Sequence, residues 1–120
     1  MEWKIKNDLP IHNQLVEQLE FRIITGFYPV GKRLPSVRDL ALEAKVNPNT
    51  MQRALVELES KGLIHTKRTS GKYVEENDLI IKKTKEKLAK ELTSTYISNM
   101  KGLGFDSQTI QKYLNERMDK

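Results

Sequence analysis

Residues 46–63 read "VNPNTMQRALVELESKGL". Asn47 suits a helix N-cap, because its side-chain oxygen can accept from an N–H that has no partner within the helix. Pro48 suits the next position, where a missing N–H leaves nothing unsatisfied. Val46 and Met51 stand where apolar side chains staple the entry of a helix. Met51, Ala54, Leu55 and Leu58 recur at helical spacing, and Gly62 fits the residue just past the end of a helix. The stretch predicts one amphipathic helix with a defined start and stop. Its polar side is uneven, with Asn49, Gln52 and Arg53 in the front half and Glu57 and Glu59 in the back half.

What flanks this helix decides the fold. Upstream, Ser36 with Asp39 three residues later makes a capping-box arrangement, and Val37, Leu40, Ala41 and Ala44 form the apolar stripe of a short helix. Only "KVN" (residues 45–47) joins the two. Further upstream, Pro10 fits the N1 position of a helix carrying Ile11, Leu15, Leu19 and Ile23 at helical spacing, with Val16 and Ile24 beside them, ending at Gly26. Residues 26–36, "GFYPVGKRLPS", read as a loop. Downstream, residues 63–66 read as a strand, "KRTSGK" (67–72) as a turn, and Tyr73 and Val74 as the returning strand. Three helices and a hairpin, with a tight turn between the second and third helices, make a helix-turn-helix with a wing. The expected fold class is mainly α (α+β), with a winged helix-turn-helix domain over residues 8–76.

After Glu75 the composition changes. Asp78 is placed to cap a long helix with Ile81, Leu88, Leu92, Tyr96 and Met100 on one side and a lysine-rich surface elsewhere ("KKTKEKLAK", 82–90). "GLG" (102–104) breaks it. Asp106 then caps a last helix, with Phe105 and Ile110 at staple positions and a stripe of Ile110, Tyr113, Leu114 and Met118. Neither helix buries its stripe well alone. Residues 78–120 are therefore expected to form a two-helix dimerisation region, with Ile81, Leu88, Leu92, Tyr96, Met100, Ile110, Tyr113 and Leu114 making the homodimer contact. The alternative is a helical pair folded back on its own winged helix.

The chain has 120 residues and a formal charge of +5. Residues 32–72 hold nine Lys/Arg against four Asp/Glu, which accounts for the whole excess. A local basic surplus of this kind is the electrostatic footprint of a nucleic-acid partner. There is no cysteine, so disulfides and cysteine-based metal sites are excluded. No apolar run approaches the ~18 residues of a membrane span, and the opening "MEWKIKNDLP" lacks a signal-peptide core. The expectation is a cytoplasmic protein with no membrane partner. His12 and His65 have no second ligand at metal-binding spacing. No nucleophile–base pair, glycine-rich phosphate loop or paired carboxylates stand out, so neither an enzyme nor a cofactor is expected.

A recognition helix reads base edges in the major groove mainly with its N-terminal part, where arginine pairs with guanine and asparagine or glutamine with adenine. At about 100° per residue, Asn49 and Arg53 lie nearly opposite the Met51/Leu55/Leu58 stripe, and Gln52 lies on their flank. Asn47 and Thr50 complete the capped end, where free N–H groups and the helix dipole favour phosphate. Glu57 and Glu59 are expected in solvent, away from the groove. Ser36, Arg38 and Lys45 extend the double-stranded DNA contact through the second helix and the turn. Lys67, Arg68, Thr69, Ser70 and Lys72 supply it from the wing, whose arginine suits a narrow minor groove. The plainer alternatives are an ion pair of Arg53 with Glu57, one of Arg38 with Asp39 or Glu43, and an ordinary basic hairpin loop.

These residues form a recognisable set. "P-I-x-x-Q", "G-x-Y-x-x-G-x-R-L-P-S-x-R-D-L-A" and "V-N-x-N-T-x-x-R-A-L-x-x-L-E-x-x-G-L-I", followed by a wing glycine, resemble the DNA-binding domain of GntR-family bacterial transcription regulators over residues 8–76. The short tail is similar to that of the YtrA subfamily in its length and its "G-F-D/S-x-x-x-I", and the "N-P-N-T" of residues 47–50 adds to that likeness. The resemblance implies a homodimer on a pseudo-palindromic operator and repression of a neighbouring operon, commonly one with ABC-transporter genes. It assigns DNA contacts to Arg38, to Asn47, Asn49 and Thr50, and to Arg68 and Thr69. Pro48 and Gln52 stand where many members have arginine, so the bases read are expected to differ. Two other readings remain: a winged helix used as a protein-interaction module, and an effector-responsive regulator with a ligand pocket at the dimer interface. No small-molecule effector is identifiable from these residues.

Overall fold

The computed structural model describes residues 1–119. In chain order the elements are α1 (Ile11–Ile24), α2 (Val37–Ala44), α3 (Pro48–Ser60), β1 (Ile64–Lys67), β2 (Gly71–Val74), α4 (Asp78–Gly102) and α5 (Ser107–Met118). The chain forms two compact units, Met1–Thr84 and the residues from Lys85 onward. The division falls inside α4, later than the boundary after residue 76 expected from composition.

The first unit is built around the apolar stripes of its three helices. Leu15, Val16, Leu19 and Ile23 of α1, Leu40, Ala41 and Ala44 of α2, and Met51, Ala54, Leu55 and Leu58 of α3 are buried together with Leu63, Ile64 and Val74. Ile81 joins this core and Ile80 packs against it. That corrects the placement of Ile81 on the dimer face: the first turn of α4 still belongs to the winged helix, where Ile80 and Ile81 are consumed while Leu79 stays exposed.

Local capping chemistry explains the helix starts. Ser36 Oγ accepts from the Asp39 N–H at 3.1 Å, and Asn47 Oδ1 accepts from the Asn49 N–H at 2.8 Å. Pro10 differs slightly from expectation and occupies the N-cap of α1 itself. At α4 the cap is Asn77, whose Oδ1 accepts from the Leu79 N–H at 3.0 Å; Asp78 sits in the first turn instead. α3 ends in a Schellman motif. Gly62 is left-handed at φ +80°, its N–H bonds Glu59 O, and the Leu63 N–H bonds Leu58 O. α2 ends in the same motif, with the Lys45 N–H bonding Leu42 O and the Val46 N–H bonding Ala41 O, but here a lysine rather than a glycine is left-handed, at φ 58°, ψ 48°. That residue makes the turn into α3 as tight as the three-residue connection requires.

The wing is longer than the sequence suggested. β1 and β2 pair antiparallel from Ile64↔Val74 to Lys67↔Gly71, so Lys67 and Lys72 lie in strands and only residues 68–70 form the loop. A further short segment adds to β2. Arg33 bridges Tyr73, the Leu34 N–H donates to Lys72 O at 2.8 Å, and the Val74 N–H donates to Lys32 O at 2.9 Å. Residues read as plain loop thus give the wing a third rung.

The first nine residues are also ordered by specific bonds. Gln18 pairs through both amide atoms with the backbone of Lys4, and Gln14 does the same with Lys6. Two glutamines one helical turn apart thereby hold alternate residues of an extended segment. This brings the Trp3 ring to 3.9 Å from the Arg22 guanidinium, which is buried and donates to Tyr28 Oη at 2.8 Å. Burial raises the Tyr28 hydroxyl pKa.

In the second unit, Asp106 Oδ1 accepts from the Thr109 N–H at 2.9 Å and starts α5. Phe105 meets Tyr113 edge-on at 5.4 Å, and Ile110 is buried by its own chain, which corrects its placement on the dimer face. Leu92, Tyr96, Ile97, Leu103, Tyr113, Leu114 and Met118 remain exposed.

Candidate nucleic-acid interface

The buried stripe of α3 fixes which side chains it can offer. With Met51, Ala54, Leu55 and Leu58 inside, Asn47, Asn49, Gln52 and Arg53 are exposed and Thr50 partly so. The Asn47 side chain caps the entry, and the front of the helix presents amide and guanidinium groups.

The acidic back half is not idle in solvent, as the sequence had suggested. Glu57 Oε1 lies 3.0 Å from His12 Nε2 of α1, and Glu57 Oε2 lies 3.5 Å from Lys61 Nζ. Lys61 also donates to Glu20 of α1 at 2.7 Å. The hydrogen bond from His12 holds the Glu57 carboxyl below its usual range, and the bond to Glu20 raises the Lys61 ammonium pKa. Glu59 takes the other side, accepting from Thr66 Oγ1 of β1. The two acids tie the recognition helix to α1 and to the wing.

That arrangement leaves the basic front available. Among the described residues, no ion pair involves Arg38, Lys45, Arg53, Lys67 or Arg68. The alternative Arg53–Glu57 pair does not form, because His12 and Lys61 occupy that carboxylate. Arg38 likewise pairs with neither Asp39 nor Glu43. Lys67 Nζ rests 4.3 Å from the centre of the Tyr73 ring, which braces the wing next to its loop. Arg68 and Thr69 are exposed at the tip, while Ser70 Oγ accepts from Tyr73 Oη at 3.0 Å. Lys72 is half-buried and engaged, donating to Thr66 Oγ1 at 3.1 Å and lying 4.0 Å from Glu59. The Ser36 hydroxyl is occupied as the α2 cap.

The histidines, isolated in sequence, each meet a glutamate in space: His12 with Glu57, and His65 with Glu75 at 3.5 Å. No group of three or more potential metal ligands occurs among the described residues. No described helix is long and apolar enough to cross a membrane. One basic residue escaped the sequence reading. Arg33 is exposed, and its guanidinium lies against Gly71 at the start of β2. Its place beside the wing depends on the third rung, which no local pattern announced.

The sequence profile described as "Bacterial regulatory proteins, gntR family" matches residues 11–74, the span from α1 to the end of β2. The chain belongs to the GntR family. It is a winged helix-turn-helix, DNA-binding transcription regulator and not an enzyme. Two Bacillus subtilis relatives of this GntR chain extend the likeness beyond the winged helix. The uncharacterised regulator YhcF is 34% identical over 92% of this chain and 91% of its own length. The transcriptional repressor YtrA is 31% identical over 92% and 86%. Among solved structures, a GntR family transcriptional regulator from Listeria monocytogenes has a TM-score of 0.87 at 38% identity, covering 93% of this chain and 98% of that one.

Proposed function

We propose that this GntR-family chain is a homodimeric repressor that binds a pseudo-palindromic operator in the cytoplasm. The observation that carries the reading is the division of labour on α3. Its carboxylates are held by His12, Lys61 and Thr66, while Asn49, Gln52 and Arg53 stand exposed without an acidic partner. Each recognition helix enters a major groove, with Asn49, Gln52 and Arg53 on base edges and the capped N-terminus, Arg38 and Lys45 on phosphates. Arg68 and Thr69 at the wing tip enter the adjacent minor groove. Lys72 acts as a brace within the wing.

The exposed apolar side chains of the second unit support the homodimer. Leu92 is 64% and Leu114 42% exposed, and a second copy covers such a face with the same face, giving the two-fold symmetry that an inverted operator repeat requires. Kinship with the repressor YtrA supports the negative sign of regulation. Light scattering on the full chain, alone and on duplex DNA, tests the assembly. Two chains per molecule are expected in both, and a monomer that binds a single half-site would exclude the dimer. Transcription in vitro from a promoter carrying the bound site is expected to fall when the protein is added, and a rise would reverse the sign.

A further inference from the structure

We propose that Arg33, in the loop before α2, is a further phosphate-contacting residue that joins the wing to the α2 end of the interface. The proposal rests on the DNA-binding site described above. Three observations carry it. First, Arg33 is held in place. Its backbone bridges Tyr73, and the flanking bonds Leu34 N–H to Lys72 O and Val74 N–H to Lys32 O lock the segment to β2. Second, its guanidinium lies against the wing. A methyl group on Gly71 would stand 3.1 Å from Nε and 3.3 Å from Nη2, close enough to push the planar group away by a few tenths of an ångström. Third, the charge is available. Arg33 is exposed, and among the described residues it takes part in no ion pair and no side-chain hydrogen bond.

A guanidinium pinned by packing, with its donors unspent, is preorganised for a phosphate. Its neighbours point to the same partner. Ser36 and Arg38 follow directly in the chain at the start of α2, and Gly71 follows the wing loop of Arg68 and Thr69. Arg33 therefore stands at the joint between two parts of the proposed interface. A phosphate bound there would also couple them, since the same group lies against Gly71 where the wing loop ends. The contact is with the DNA backbone and carries no direct base information.

The test is the salt dependence of binding by the full chain to a duplex it selects. Each phosphate contact removed should lower the slope of log affinity against log salt by about one. Arg33→Ala is expected to weaken every duplex by a similar factor, about tenfold at moderate salt, and to lower the slope by about one. Arg33→Gln keeps most of the packing on Gly71 while removing the charge, so it should show the same loss of slope even if the alanine variant folds poorly. Weaker binding with an unchanged slope would make Arg33 a support for the wing only and overturn the proposal. Unchanged affinity would overturn it as well. A wild-type chain that selects no duplex would instead count against the DNA-binding site as a whole, so the two failures are distinguishable.

Discussion

At the scale of single residues, the front of α3 rests on Arg53. Its guanidinium has no carboxylate partner among the described residues, since Glu57 is taken by His12 and Lys61. Replacing Arg53 with alanine is expected to cost about 1–3 kcal/mol of binding to the preferred duplex and to relax base preference at one position. Titration against a panel of single-base operator variants checks this, and an equal loss on every sequence would assign Arg53 to the backbone. Lys45 poses a different balance. It is the only non-glycine residue with positive φ among the described residues, at 58°, a conformation that disfavours a Cβ. Lys45→Gly should stabilise the fold by about 0.5–1 kcal/mol while weakening DNA binding through loss of a phosphate contact. Chemical denaturation and a binding isotherm on the same variant should move in opposite directions. Caps such as Ser36, Asn47 and Asp106 were legible in the sequence because donor and acceptor lie within three residues. The partner of Glu57 was not, because His12 is 45 residues away and only the packing of α1 against α3 brings them together.

At the scale of elements, the contact between α1 and α3 is polar as well as apolar, and its pH dependence has a definite sign. The Glu57 carboxyl is held below its ordinary range chiefly by the hydrogen bond from His12. A depressed carboxylate contributes stability above its unfolded pKa and loses it as pH falls through the folded value. Glu57→Gln should therefore show a flatter stability profile than the wild type between about pH 5 and pH 3. Parallel profiles from thermal melts across that window would remove Glu57 from the account. The helices were legible because their stripes repeat along one element: every position placed on the buried face of α3 is buried. The third rung of the wing was hidden, since Arg33 pairs with Tyr73 across 40 residues and the loop containing it is dense in glycine and proline. The clamp of Gln14 and Gln18 on residues 4 and 6 was hidden for a related reason. Glutamine on an exposed helix face carries no sequence signal of what it will bind, although Gln14 had stood in the family pattern without a role.

At the scale of the whole molecule, a charge of +5 concentrated in residues 32–72 coincides with the elements assigned to DNA. The composition announced that coincidence, and the family match at residues 11–74 gives it a function. What composition blurred is where the winged helix ends. Ile81 looked like part of a tail stripe because it continues its periodicity, yet it completes the core of the first unit, with Ile80 packed against it. The remaining exposed apolar residues from Leu92 to Met118 carry the dimer proposal. The most direct measurement of the central claim is selection of duplexes from a random pool by the full chain at moderate salt. Two inverted half-sites with centres about one helical turn apart, or a multiple of it, are predicted. Enrichment of no motif, or of a single asymmetric one bound by one chain, would contradict the account.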